Sequence, residues 1–228
     1  MKTSPARRTT APAWPAGWPA ALLAAALLAP ATASSQALSL DAARRGVEAV
    51  APAGRLAAVE RLGEVGAMAD APRLVARLAD DDADIRAAAT ASMWQIWGRS
   101  GDAAIDTLYR RGLAEMQAGR LEDALLTYSE IIRRKPAFAE GWNKRATVHY
   151  LLGRFGESLK DCDEVLKRNP IHFGALSGYA QIHIALGDPE RALAYYQRAL
   201  AINPYLPNGD EAVRALEERI AARRRSTT

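Results

Sequence analysis

The stretch "WNKRATVHYLLGRFGESLKDCDEVLKRNP", residues 142–170, decides the fold. It holds two apolar-periodic stretches parted by Gly153 and closed by Pro170. The same pattern stands once before it and once after it. The closing prolines are Pro136, Pro170 and Pro204, 34 residues apart each time, a period characteristic of helix–turn–helix arrays. Aligned on them, the copies start at Ile105, Ala139 and Phe173. The fifteenth position is then Gly119, Gly153 and Gly187; the eighth is Gly112, Ala146 and Ala180; the twentieth is Ala124, Ser158 and Ala192.

Each position has a physical reason. Glycine at the fifteenth ends the first helix at little steric cost. Small residues at the eighth and twentieth let two helices cross closely. Large apolar residues such as Leu108, Trp142 and Leu176 at the fourth position, and Ile132, Leu166 and Leu200 at the twenty-eighth, fill the groove between neighbouring helices. Proline stops the second helix and resets the chain. This pattern resembles the tetratricopeptide repeat over nearly half of the chain. The resemblance implies an all-α fold, a right-handed solenoid of stacked helical hairpins, with units at 105–138, 139–172 and 173–206.

Residues 34–100 carry a different pattern. Ser39 to Ala51 is read as one helix capped by Ser39. "RLGEVGAMADAPRLVARLADDDADIRAAATASMWQIWG" resembles a HEAT-type repeat of the short bacterial kind, with helices marked by Leu56, Val59 and Leu62, by Pro72, Leu74 and Leu78, and by Ile85, Ala89, Met93 and Ile96. One such unit cannot bury its own apolar face. The expectation is that it stacks on the array across the short junction "GRSGD" into one continuous solenoid, with Trp94 and Trp97 filling the joint. Beyond the last repeat, Asp210 to Ala222 reads as a terminal capping helix within the segment 207–228, and Arg223–Thr228 as a frayed end.

Residues 1–33 read as a cleaved signal peptide: Lys2, Arg7 and Arg8, then the apolar run Ala20 to Ala29, then Ala31-Thr32-Ala33. The alternative is a low-complexity tail on a cytoplasmic protein. The run extends only ~15 Å as a helix, about half of a bilayer core, so no stable membrane span is expected. Arg7-Arg8 lacks the hydrophobic residues expected behind a twin-arginine pair. The leader's three basic residues account for three of the four net positive charges, leaving +1. The charge therefore gives no reason to expect nucleic acid.

The residues that could carry chemistry do not assemble into a site. Cys162 holds the twenty-fourth repeat position, where the other copies have Tyr128 and Tyr196, and reads as a buried thiol. His149 and His183 hold equivalent positions in successive repeats, ~10 Å apart at ordinary helix spacing, too far to share a zinc with ~2 Å bonds. Asp80, Asp82 and Asp84 lack the glycine and glutamate of a calcium loop, having Ile85 and Ala91 there, and read as acids at a helix start. No phosphate-cradling loop or nucleophile elbow is present. No cofactor, metal or catalytic residue is assigned.

What remains is a surface. The resemblance implies a concave face lined by Tyr109, Leu113, Met116, Gln117 and Phe138, then Asn143, Thr147, Tyr150 and His172, then Ser177, Gln181, Ile184 and Tyr205. Aromatic and amide side chains at regular spacing suit a peptide or partner helix. The competing reading is that the chain's own terminal helices fill part of this face. Chaperone-binding members of the family hold a terminal carboxylate at positions that are here Tyr109, Leu113, Lys144, Gly174 and Gly178. With Lys144 the one cation among them, an acidic chaperone tail is not the expected ligand. The sequence thus points to a non-enzymatic protein-binding adaptor or assembly factor, periplasmic or secreted, whose partner it does not identify.

Overall fold

A computed structural model describes residues 37–226, and every regular element among them is helical. The leader 1–33 lies outside the described residues. Four α-helices and one 3-10 turn precede the repeats: α1 (Leu40–Gly46), α2 (Pro52–Val65), the 3-10 turn Met68–Asp70, α3 (Ala71–Arg77) and α4 (Ala83–Trp97). The repeats are the hairpins α5 (Ala103–Gln117) with α6 (Leu121–Arg134), α7 (Ala139–Leu151) with α8 (Phe155–Arg168), and α9 (Phe173–Ala185) with α10 (Pro189–Ile202). The last helix is α11 (Gly209–Ser226).

The repeat chemistry works as its spacing predicts. Gly119, Gly153 and Gly187 turn each hairpin at φ of 70°, 71° and 75°, where a side chain would be strained. The second helices end at Arg134, Arg168 and Ile202, each two residues before its proline. Ala124 and Ala192 are fully buried. Ser158, also fully buried, satisfies its hydroxyl by donating to the Ala146 carbonyl at 2.7 Å, tying α8 to α7. Successive helices from α5 to α11 pack one on the next, so α11 sits where the first helix of a fourth repeat would stand. Leu216 and Ile220 are its buried contacts, and the helix runs through Arg223–Arg225, further than the sequence suggests.

The N-terminal segment packs around an apolar core that includes Leu62, Leu74, Ile85 and Met93, and arginines tie its edges. Arg55 donates twice to the buried Asp80 carboxylate, at 3.1 and 2.9 Å, and Arg44 grips the buried Asp70 at 2.8 Å. Arg99 donates to the carbonyls of Gly63, Glu64 and Gly66 at 2.6, 3.0 and 2.7 Å, filling the acceptors left over at the end of α2. Asp82 caps α4 by accepting from the Asp84 N–H at 2.9 Å. Helix α1 is shorter than the sequence suggests and ends at Gly46. A side chain at that position would lie 2.8 Å from the Ala58 methyl group, on the neighbouring helix.

The joint between the two parts differs from the expectation. The core around α2 and α4 does not continue into the first repeat. It joins Phe173, Leu176 and Ala199, with Leu166, Ile171, Ile202 and Leu206 packed against it. Helix α4 runs back across the array to the third repeat, and its tryptophans fill that distant seam instead of the adjacent one.

Candidate functional site

The inner face is built from α5, α7 and α9. Its centre is a buried charge, Glu140 in the first turn of α7. One carboxylate oxygen accepts from the Asn143 amide at 3.0 Å and the Tyr109 hydroxyl at 3.3 Å, and lies 3.2 Å from the Lys144 ammonium. The other lies 2.8 Å from His172 Nε2. Because His172 Nδ1 accepts from the Ala175 N–H at 3.0 Å, the ring proton belongs on Nε2, which donates to Glu140. Burial pushes the Glu140 carboxyl up, but Lys144 and the His172 and Asn143 hydrogen bonds outweigh it and hold it at about 2. Burial and the Glu140 charge push the Tyr109 phenol well above its ordinary value.

Helix α4 closes over this network. Trp97 stacks on His172 with ring centroids 4.1 Å apart. Trp94 meets Phe173 edge to face at 5.6 Å and lies 5.6 Å from the Lys144 ammonium. It rests directly on the backbone of Gly174, where a Cβ would fall 2.3 Å from the indole. Farther along, Thr90 accepts from the Asn203 amide at 3.4 Å, and the Arg86 guanidinium lies 3.9 Å from the Tyr205 ring centroid. Trp94 therefore lies against Lys144 and Gly174, two of the positions matched above to the carboxylate-holding ones.

The candidate partner residues thus fall into two groups. Tyr109, Phe138, Asn143, Thr147, Tyr150 and His172 are buried. Phe138 packs edge to face on Tyr109, Tyr150 packs on Phe155, and Thr147 donates to the Asn143 carbonyl. Leu113, Met116, Ser177, Gln181 and Ile184 are half-buried, while Gln117 and Tyr205 are exposed. Gln181 also donates to the Tyr196 hydroxyl across to α10. The accessible strip is formed by the later turns of α5 and by α9, with the buried candidates of α7 between them. A notch of about 10 Å³ opens between α7 and α9, lined by Asn143, Thr147, Tyr150 and Gly178. It has room for about one water molecule.

Elsewhere the titratable groups serve the fold. Cys162 is buried and its thiol pushed up by burial. Burial pulls the imidazoles of His149 and His183 down. Asp80 accepts from Arg55, Arg77 and the Asp82 N–H. The sequence reading missed an open cleft of about 590 Å³ between α10 and α11, floored by Leu193, Ile220 and Ala221 and rimmed by Glu190, Glu217 and Arg224.

A family profile described as tetratricopeptide repeat matches residues 109–166 and 144–207. Among solved structures, the first TPR domain of human RPAP3 is 21% identical, covering 54% of this chain and 96% of its own, with a TM-score of 0.51. The Sgt2 TPR domain from Aspergillus fumigatus is 16% identical, covering 56% and 85%, with a TM-score of 0.52. The first TPR of Spaghetti (RPAP3), bound to the HSP90 peptide SRMEEVD, is 21% identical, covering 51% and 93%, with a TM-score of 0.50. No curated protein matches the chain. Among the described residues no helix is long and apolar enough to cross a membrane.

Proposed function

Since this chain carries an array of tetratricopeptide repeats, we propose that it is a non-enzymatic adaptor or assembly factor that holds a segment of another protein on the accessible strip of its inner face. The observation that supports this most is the composition of that strip. Leu113, Met116 and Ile184 offer half-buried apolar surface, and Gln117 and Gln181 offer amides that both donate and accept. That combination suits an extended or helical segment of low charge. The HSP90 peptide of one structural relative is acidic, and the positions matched to its carboxylate holders carry the one cation Lys144, which Glu140 neutralises at 3.2 Å. An acidic tail is therefore not the proposed ligand.

The experiment is capture from an envelope extract by the purified protein, repeated with Gln117→Ala, Gln181→Ala and Met116→Ala. Variants that keep the parental helical circular dichroism should bind the captured partner tenfold or more weakly where they remove a central anchor. Parental affinity in all of them would move the site off this strip. Asn143→Ala is unsuitable, because it also strips a hydrogen bond from buried Glu140.

The proposed place of action is outside the cytoplasm, after removal of 1–33. A mature terminus near Ser34, found by N-terminal sequencing of the native protein, would support it. Bulk native protein still beginning at Met1 would favour the alternative of a cytoplasmic adaptor.

A further inference from the structure

We infer that the part of the inner face under α4 is itself a binding site for a helix with two aromatic side chains three residues apart, and that α4 is its resident occupant. The inference rests on the groove being a binding surface. It adds the kind of partner and the route by which that partner enters.

Several observations carry it. The seat is aromatic and shaped: His172 offers a ring face to Trp97, and Gly174 leaves bare backbone under Trp94. It spans repeats, since α4 touches Lys144 in the second and Phe173 and Asn203 beyond it in the third. Charge also complements it, because the Lys144 ammonium faces the Trp94 ring. The dock is closely packed but leaves polar groups poorly met. Its far end has one 3.4 Å hydrogen bond and the contact of Arg86 with the Tyr205 ring, and the Trp97 indole N–H is buried without a hydrogen-bond partner. The N-terminal segment has its own internal ties, through Asp70, Asp80 and Arg99, so it can leave as a unit. Gly101, at φ 74°, marks a turn in the junction to α5. Departure without replacement would expose Trp94, Trp97, Phe173 and Leu176 together. Entry is therefore by exchange: the incoming helix covers the seat as α4 leaves it.

The test uses the full chain and, as probe, a fluorescent peptide of residues 83–99. Tethering gives α4 an effective concentration in the millimolar range for a short linker, so the parent should bind the peptide weakly. Trp94→Ala weakens the resident and should tighten peptide binding at least tenfold. Adding Arg86→Cys and Tyr205→Cys, a half-buried and an exposed position whose side chains meet across the dock, and bridging them with a short bis-maleimide should abolish it; buried Cys162 does not compete for the reagent. A peptide with both tryptophans replaced by alanine should bind to neither. If Trp94→Ala loses its helical circular dichroism, Thr90→Ala with Asn203→Ala, at the far end of the dock, takes its place. Equal binding to parent and variant, binding to neither, binding that survives the bridge, or indifference to the peptide's tryptophans would each overturn the inference. None of these results depends on the partner captured through Gln117 and Gln181, so the two proposals fail separately.

Discussion

The repeats and the N-terminal segment are both helical, and both seat a partly exposed arginine on a buried aspartate, Arg145 on Asp161 in the repeats, yet they differ in which contacts recur along the chain. In the repeats, fully buried Ala124 and Ala192 let helices cross closely, and a charged network around Glu140 is sealed inside. In the segment, the charges sit at the edges, where Arg44 and Arg55 reach in from partial exposure to Asp70 and Asp80. A regular array can stabilise itself by geometry repeated at each crossing. A single irregular layer needs individual clamps, and it needs a neighbour to cover its apolar face. Here that neighbour is the third repeat.

The sharpest way to break this contrast is at Glu140. Glu140→Ala leaves Lys144 buried without its counter-charge, and breaking a buried pair from one side costs about 3–5 kcal/mol. Urea denaturation should show a loss of that size, and a loss under 1 kcal/mol would mean that the network is not structural. Next comes crossing geometry. Ala124→Trp should cost about 3 kcal/mol through overpacking, while Arg134→Trp on an exposed turn should stay within about 0.5 kcal/mol. Equal melting temperatures would contradict the repeat register.

Smaller effects separate the clamps by pH. Asp70 is held below its ordinary carboxylate value chiefly by its Arg44 hydrogen bond, and Asp80 by its Arg55 hydrogen bond. A carboxyl depressed in the folded state contributes stability that is complete above its unfolded pKa of about 4 and is lost as pH falls through the folded value. Amide protection in α2 and α3, taken relative to the unfolded chain at the same pH, should therefore fall as the solution is taken below about pH 4. Asp70→Asn with Asp80→Asn should flatten that dependence in α2 and α3 and leave it unchanged in α7, which answers to Glu140. A common acid profile in both regions, unaltered by the substitutions, would show that the clamps do not act locally.

The array was legible because its constraints recur. Glycine at a left-handed turn, alanine at a crossing and proline after a helix each repeat at the same interval, so Gly119, Gly153 and Gly187 identify one another. The dock of α4 has no such redundancy. Trp94 and Trp97 read as fillers of a joint, and they are. The joint they fill is set by a bare Gly174 and a His172 ring remote in sequence, and no local pattern announces that pairing. The inner face was legible as a set of positions but not as a set of exposures. Tyr109 and Asn143 occupy groove positions, yet Glu140 draws both inward. Among the charged residues in the first turns of the repeat helices, Glu140 gave no sign of being the one that is fully enclosed.

The contact between Thr90 and Asn203 joins residues 113 apart in the chain. Synthesis at about 5–20 residues per second puts roughly 6–20 s between the emergence of the two. Through most of that interval, until His172, Phe173 and Gly174 emerge, α2 and α4 can form their own helices and arginine clamps, but Trp94 and Trp97 lack the seat they rest on. The same order holds if the chain is threaded through a membrane from its N-terminus. The early part of this protein is therefore finished by its late part, and a nascent chain truncated before the third repeat carries a sticky tryptophan face. Such chains would be natural clients for holding chaperones, whereas chains truncated after Leu206 would not.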